Sequence, residues 1–80
     1  MENKILIIDS DISLKKILVK ALKNSNTLVD TVATVSEAWI EISKKHFDLI
    51  ITDVELSDGD GLEFVEKIKK KKINYKDYYN

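Results

Sequence analysis

Two apolar runs in this sequence each end on a carboxylate, and these carboxylates are the residues best suited to chemistry. Residues 5–8 lead into Asp9, and residues 49–52 lead into Asp53. A short apolar run bounded by polar or turn-forming residues is typical of a strand buried in a parallel sheet. Ligands of open α/β sheets bind outside the carboxyl ends of such strands, which is where both acids fall.

The chemistry that these acids could support follows from their spacing. If their strands are neighbours, Asp9 and Asp53 face one another at a spacing of about 4.8 Å. Carboxylates that close repel each other unless a cation is bound. Mg²⁺ suits the position, since it takes one or two carboxylates together with water and phosphate oxygens. We therefore expect an Asp53 oxygen to attack a phosphoryl donor while the metal neutralises the developing charge.

The elements that must position these acids alternate along the chain. The first helix follows Asp9, is capped by Ser10 or Asp11, and ends at 24–26. A shorter strand, more exposed on one side, is predicted at 28–33. Lysines take the outer face of the first helix, and its apolar face has the helical period; that face comprises Leu14, Ile17, Leu18, Ala21 and Leu22.

Two further helices complete the pattern. Thr34 and Glu37 have the spacing of a capping box and begin the second helix, with Ala38 and Ile42 directed inward. A loop with two glycines follows Asp53 and leads into the third helix. In that helix we expect an inward stripe with a flanking phenylalanine; these residues are Leu62, Val65, Ile68 and Phe64.

The order strand, helix, strand, helix, strand, helix predicts an α/β fold, with a parallel sheet between layers of helices and right-handed crossovers. The 80 residues allow one small domain, 1–80. The absence of cysteine excludes disulfides and thiolate metal sites. A net charge of −1 argues against nucleic-acid binding by this domain. Since no apolar run approaches the roughly 20 residues of a membrane span, we expect no membrane segment and a cytoplasmic location.

Several segments, in order and at matching spacing, resemble the receiver domain of two-component response regulators. Residues 4–9 and 47–53 resemble two strands of that domain with their acidic ends. Residues 33–38 resemble the segment that leads into the second helix. Leu56, Asp60 and Gly61 fit the loop that follows the phosphoacceptor aspartate in the family. The resemblance covers almost the whole chain.

The resemblance implies a flavodoxin-like sheet with strand order 2-1-3 and a ligand site between strands 1 and 3. It also implies that Asp53 accepts phosphate from a sensor histidine kinase or a phosphotransfer protein. Mg²⁺ would be held by Asp9, Asp53 and the backbone carbonyl of Glu55. The expected role is that of a signalling module and not of an enzyme.

Three departures from the family pattern bear on this expectation. Ser10 stands where the family usually has a second acid, and a hydroxyl is a poorer Mg²⁺ ligand than a carboxylate. Ser57 replaces the usual loop proline. The chain holds three of the five strand–helix units, so we expect a truncated receiver that lacks the later hydroxyl and lysine residues of the site. The third strand would then be a bare sheet edge, which favours a homodimer.

Two alternatives remain open. A degenerate receiver could serve as a dimerisation or protein-binding module without phosphorylation, which Ser10 and the short chain both favour. Alternatively, Asp9 and Asp11 fit the Asp-x-Asp motif of haloacid-dehalogenase-type phosphatases, in which Asp9 would be the nucleophile. At the end of the chain, residues 67–72 are expected to form a solvated helix end, and Tyr75, Tyr78 and Tyr79 either cover the core or form a tail.

Overall fold

Three parallel strands in the order β2-β1-β3 form the main sheet. The computed structural model describes residues 2–70. Strand β1 (Asn3–Ile8) lies between β2 (Thr27–Val32) and β3 (Leu49–Thr52). The predicted α/β fold and the predicted strand order are confirmed. The three tyrosines and the last two lysines of the 67–72 run lie outside the described residues.

Three helices connect and follow these strands: α1 (Ile12–Leu22), α2 (Val35–Lys44) and α3 (Gly61–Lys70). Helix α1 ends at Leu22, before the expected 24–26, because the chain turns extended at Lys23. None of the helices in the described part of the chain is long and apolar enough to cross a membrane.

A small antiparallel hairpin lies between β3 and α3, where the sequence predicted only a loop. Its strands are β4 (Glu55–Leu56) and β5 (Gly59–Asp60). Strands of two residues carry no hydrophobic alternation, so the pattern that reveals longer strands is absent here. The hairpin begins two residues after Asp53.

The hydrophobic core lies on one face of the sheet, against α2 and α3. Leu6 and Ile8 of the central strand are fully buried there. Trp39 of α2 meets Phe64 of α3 edge to face, with ring centroids 4.9 Å apart, which locks the two helices together. The remaining buried residues of this core are Ala38, Phe47 and Ile68.

Helix α1 lies on the opposite face, over the buried side chains of Ile5 and Ile7. Leu18 and Leu22 are half-buried, but Leu14 is 41% and Ile17 is 64% exposed. Ala21 is exposed as well, so the expectation that Leu14, Ile17 and Ala21 lie on the inward face was wrong. Lys15, which was expected on the outer face with the other lysines, is half-buried. The inward stripe is rotated and consists of Lys15, Leu18, Val19 and Leu22, a set with the same helical period as the predicted one.

Two other expectations about burial need correction. Leu62 is 57% exposed, and Phe64 takes the core position instead. Strand β3 was expected to be buried on both faces, but all four of its residues are only half-buried. The reason is its position at the edge of the three-stranded sheet.

Candidate functional site

The strand register sets Asp9 and Asp53 side by side. Strands β1 and β3 pair in parallel up to Ile8 and Thr52, and the two acids are the next residues. The backbone N–H of Asp53 donates to the Ile8 carbonyl at 2.9 Å, which continues the pairing past the end of β3. Both carboxylates therefore leave the same edge of the sheet.

Asp9 is the buried member of this pair, with 8% exposure. Its Oδ1 accepts a hydrogen bond from the backbone N–H of Asp11 at 2.8 Å. Asp11 in turn caps α1, since its Oδ1 accepts from the N–H of Leu14 at 3.0 Å. Asp11 is thus committed to the helix, and Asp9 is held beside the strand end.

Asp53 is the exposed member of the pair. Among residues 2–70, its carboxylate has no hydrogen-bonding or ion-pairing partner. A carboxylate that caps no helix and pairs with no cation is open to an external reactant. Of the two acids, Asp53 is the more accessible to solvent.

Two hydrogen bonds hold the backbone at Asp53 and Val54. The Thr52 hydroxyl donates to the Asp53 carbonyl at 2.9 Å, and the Gly61 N–H donates to the Val54 carbonyl at 2.8 Å. A Cβ added at Gly61 would overlap the Asp53 carbonyl oxygen and crowd Thr52. Glycine at 61 therefore permits the close approach of α3 to Asp53.

Glu55, whose carbonyl the resemblance assigns to the metal, lies two residues beyond Asp53 in β4. Its partner across the hairpin is Asp60. Asp60 also begins α3, since its Oδ1 accepts from the N–H of Leu62 at 2.7 Å. The segment between Asp53 and α3 is thus held at both ends.

Sequence reasoning missed the contact that the hairpin tip makes with α2. The Asp58 carboxylate accepts hydrogen bonds from the backbone N–H groups of Val35 at 2.8 Å and Ser36 at 3.0 Å, and from the Ser36 hydroxyl at 2.8 Å. The Ser36 N–H, then the Val35 N–H and the Ser36 hydroxyl, lower the pKa of the Asp58 carboxyl. An aspartate in a turn gives no sign of a partner more than twenty residues away, so only the fold reveals this contact.

The expected capping box at the start of α2 is present in a modified form. Thr34 Oγ1 accepts from the Glu37 N–H at 3.1 Å, as predicted. The Glu37 carboxylate reaches back to the N–H of Ala33 at 2.9 Å, one residue before the cap. This N–H, followed by the Thr34 hydroxyl, lowers the pKa of Glu37.

The donor set at the sheet edge fits Mg²⁺ better than a metal that needs many protein ligands. Within the described residues, no three His, Asp or Glu side chains come together as metal ligands. The predicted set is smaller, with two carboxylates at neighbouring strand ends and one backbone carbonyl. Proteins commonly bind Mg²⁺ through such a small set of ligands, with water and phosphate oxygens filling the other coordination positions.

Comparison with known proteins places this geometry in a family. The family described as the response regulator receiver domain matches residues 5–76. The chain is 35% identical over 69 residues to the transcriptional regulatory protein BasR of Escherichia coli, covering 86% of this chain and 31% of BasR. It is 37% identical over 71 residues to the regulatory protein VanR of Enterococcus faecium, covering 89% and 31%. The chain thus spans less than a third of the length of these curated relatives.

Solved structures agree with this assignment. The chemotaxis response regulator CheY4 of Vibrio cholerae is 29% identical and superposes with a TM-score of 0.81, over 94% of this chain and 66% of that one. The HemR receiver domain from Leptospira biflexa is 30% identical with a TM-score of 0.78, over 92% and 61%. This chain belongs to the response regulator receiver domain family.

Proposed function

We propose that this chain accepts a phosphoryl group on Asp53, as the receiver of a two-component or phosphorelay signalling system. The observation that carries the proposal is the exposed Asp53 carboxylate, which has no partner among residues 2–70 and follows β3 beside the buried Asp9. Membership of the receiver family supports the assignment. We further propose that residues 1–80 act as one receiver-like unit.

The proposed reaction is a displacement at phosphorus. An Asp53 Oδ attacks the phosphorus of the donor, and the bond from phosphorus to the donor nitrogen or oxygen breaks with its electron pair going to the leaving group. The product is an acyl phosphate on Asp53. Mg²⁺ held by Asp9, Asp53 and the Glu55 carbonyl would neutralise the charge on the phosphoryl oxygens. The natural donor would be a histidine kinase or a phosphotransfer protein.

We also propose that β3 is a site of homodimerisation. It is an edge strand among the described residues, and its four residues are half-buried. An apolar edge strand exposes unpaired backbone groups that can pair with a second chain. A two-fold dimer along this edge would extend the sheet.

The proposed phosphorylation can be tested with a small-molecule donor. The full chain is incubated with acetyl phosphate, with and without Mg²⁺, and its intact mass is measured. We expect a Mg²⁺-dependent mass increase of one phosphoryl group that is lost in Asp53→Asn. Asp30→Asn is the matched control, because Asp30 lies in β2 and pairs with Lys45 at 2.8 Å, away from the acceptor.

The same experiment separates the alternatives. A wild-type chain that takes no phosphoryl group would favour a degenerate receiver that binds partners only, which the exposed Ser10 beside Asp9 favours. An adduct on Asp9 would favour the dehalogenase-type phosphatase. The structure gives that reading no support, because Asp9 is buried and bonded to the Asp11 N–H.

A further inference from the structure

The tip of the β4–β5 hairpin is tied to the first turn of α2 by a single side chain. Asp58 accepts from the N–H groups of Val35 and Ser36, the first two residues of the helix, and from the Ser36 hydroxyl. Thr34 Oγ1 takes the N–H of the third residue, Glu37. The first turn of α2 is therefore capped by two separate residues, one from its own segment and one from the hairpin.

A second observation shows that the hairpin rests directly on α2. A Cβ added at Gly59 would lie 3.2 Å from Cγ2 of Val35. That distance is close to the limit of packing, so glycine at 59 lets the hairpin reach the helix. The contact between hairpin and helix thus includes packing as well as hydrogen bonds.

The hairpin also follows Asp53 closely along the chain and is closed by hydrogen bonds at its base. It starts two residues after Asp53, and its base is closed by the bond from the Gly61 N–H to the Val54 carbonyl. Within this span Glu55 is paired with Asp60 across the hairpin. A displacement of the tip would move residues 53–56, which we call the acceptor loop.

We propose that Asp58 is a positioning residue, whose carboxylate anchors the acceptor loop to α2 and so fixes the geometry around Asp53. The chemical part of this proposal rests on the proposed function of Asp53. An aspartate that accepts from helix N-terminal amides makes charge-assisted hydrogen bonds with the favourable end of the helix dipole. The anchor fixes the backbone that carries Glu55, whose carbonyl is the proposed metal ligand.

The test compares two variants that each remove one cap from α2. Asp58→Ala cuts the bonds between hairpin and helix, whereas Thr34→Ala removes the cap of Glu37 and leaves the hairpin contacts in place. In the full chain, amide hydrogen exchange of residues 53–56 and the rate of acetyl phosphate labelling are measured for both. Unfolding by urea establishes that both variants are folded.

We expect Asp58→Ala to speed exchange in the acceptor loop and to slow labelling about tenfold, since small misplacements of reacting groups have large effects on rate. Thr34→Ala should leave both within about twofold of the wild type, because the hydrogen bonds of the Thr34 side chain go to Glu37 and not to the hairpin. Two milder variants should give exchange and labelling rates between these limits. Ser36→Ala loses only the hydroxyl bond to Asp58, and Asp58→Asn keeps one acceptor oxygen.

Equal effects of Asp58→Ala and Thr34→Ala on the acceptor loop and on labelling would overturn the proposal, because Asp58 would then be only a helix cap. If Asp58→Ala does not fold, the comparison of Ser36→Ala with Thr34→Ala decides in the same way. A wild-type chain that is never labelled would refute the proposed function. Hydrogen exchange alone would then test whether Asp58 anchors the acceptor loop to α2.

Discussion

At the scale of single residues, the aspartates of this chain differ by what their oxygens accept. Asp58 accepts three hydrogen bonds and Asp11 one at the start of a helix. Asp9 accepts one while buried. Asp53 accepts none from the described residues. Side chains of the same type are thereby divided into caps, a candidate metal ligand and a candidate nucleophile.

The capping role of Asp58 predicts a dependence of stability on pH. Its pKa is lowered in the folded chain, chiefly by the N–H of Ser36. A carboxyl whose folded pKa lies below its unfolded pKa contributes stability above the unfolded pKa, and that contribution is lost as pH falls through the folded pKa. Urea unfolding from neutral to acidic pH should therefore show a smaller loss of stability in Asp58→Asn than in the wild type.

The control for this prediction is Glu63→Gln. Glu63 is exposed and forms only an i,i+4 ion pair with Lys67 at 3.3 Å, so this substitution removes a helix-surface charge without removing a cap. The same pH dependence in Asp58→Asn and wild type would contradict the prediction.

The close packing of Gly61 against Asp53 predicts an effect on stability. In Gly61→Ala the new methyl group meets the backbone carbonyl of Asp53, which cannot move without disturbing β3. We expect a loss of about 1–3 kcal/mol in the free energy of unfolding, measured with urea. Gly59→Ala is the matched control and should cost less, because it meets the Val35 side chain instead of backbone. If Gly61→Ala leaves the free energy of unfolding unchanged, α3 does not pack closely against Asp53.

At the scale of elements, the two faces of the sheet are unequal. The face with α2 and α3 holds most of the fully buried side chains, including Ile68 at 1% exposure, whereas on the opposite face Ile7 of β1 is fully buried. Helix α1 on the other face has no buried residue, and its Ile17 side chain is 64% exposed. Most of the stability from apolar burial therefore comes from the core against α2 and α3.

One conservative substitution placed on each face tests this difference. Ile68→Val deletes a methyl group from the core and should cost about 0.5–1.5 kcal/mol. Ile17→Val deletes the same group from the exposed side of α1 and should stay within about 0.5 kcal/mol of wild type. The measurement is the midpoint of urea unfolding. Equal costs would mean that another element covers Ile17 in solution.

The sequence predicts these elements to different degrees. Leu49–Thr52 was predicted as a strand and observed with the same bounds, because its apolar run is enclosed by Asp48 and Asp53. Helical periodicity also located α1, but it could not tell which of two overlapping apolar stripes faces the sheet. The residues that decide this choice are Leu14 and Ile17 on the exposed side and Val19 on the inner side. Tertiary packing sets that rotation, and a local pattern does not contain it.

The sequence likewise predicts some features of the candidate site and not others. Asp9 and Asp53 could be predicted to lie at one edge of the sheet, because both end apolar strands of a parallel sheet. That their strands are neighbours followed from the strand order 2-1-3 that the resemblance implies. The link from Asp58 to α2 could not be predicted, since it joins residues from different strand–helix units. Local sequence therefore locates the two carboxylates at the sheet edge, while the packing of the units determines how the segment after Asp53 is held.

At the scale of the whole molecule, β3 is an edge strand among the described residues, and the proposed dimer forms through it. If β3 pairs with a second chain, sedimentation velocity should show a shift from monomer to dimer as concentration rises. Ile51→Lys places a charge in the edge strand and should weaken the dimer. Ile12→Lys is the control, because Ile12 is an exposed α1 residue away from β3. A wild-type chain that stays monomeric at high concentration would contradict the proposed dimer.

The proposal that residues of this one chain build a working acceptor site is tested most directly by amide-correlation NMR. The spectrum of the full chain is recorded before and after addition of Mg²⁺ with beryllofluoride, a phosphoryl mimic, for the wild type and for Asp53→Asn. We predict dispersed signals, with shifts around Asp9, Asp53 and Glu55 in the wild type that are absent in the variant. Signals that do not move in the wild type, or that move equally in Asp53→Asn, would contradict the assignment of Asp53 as the phosphoacceptor.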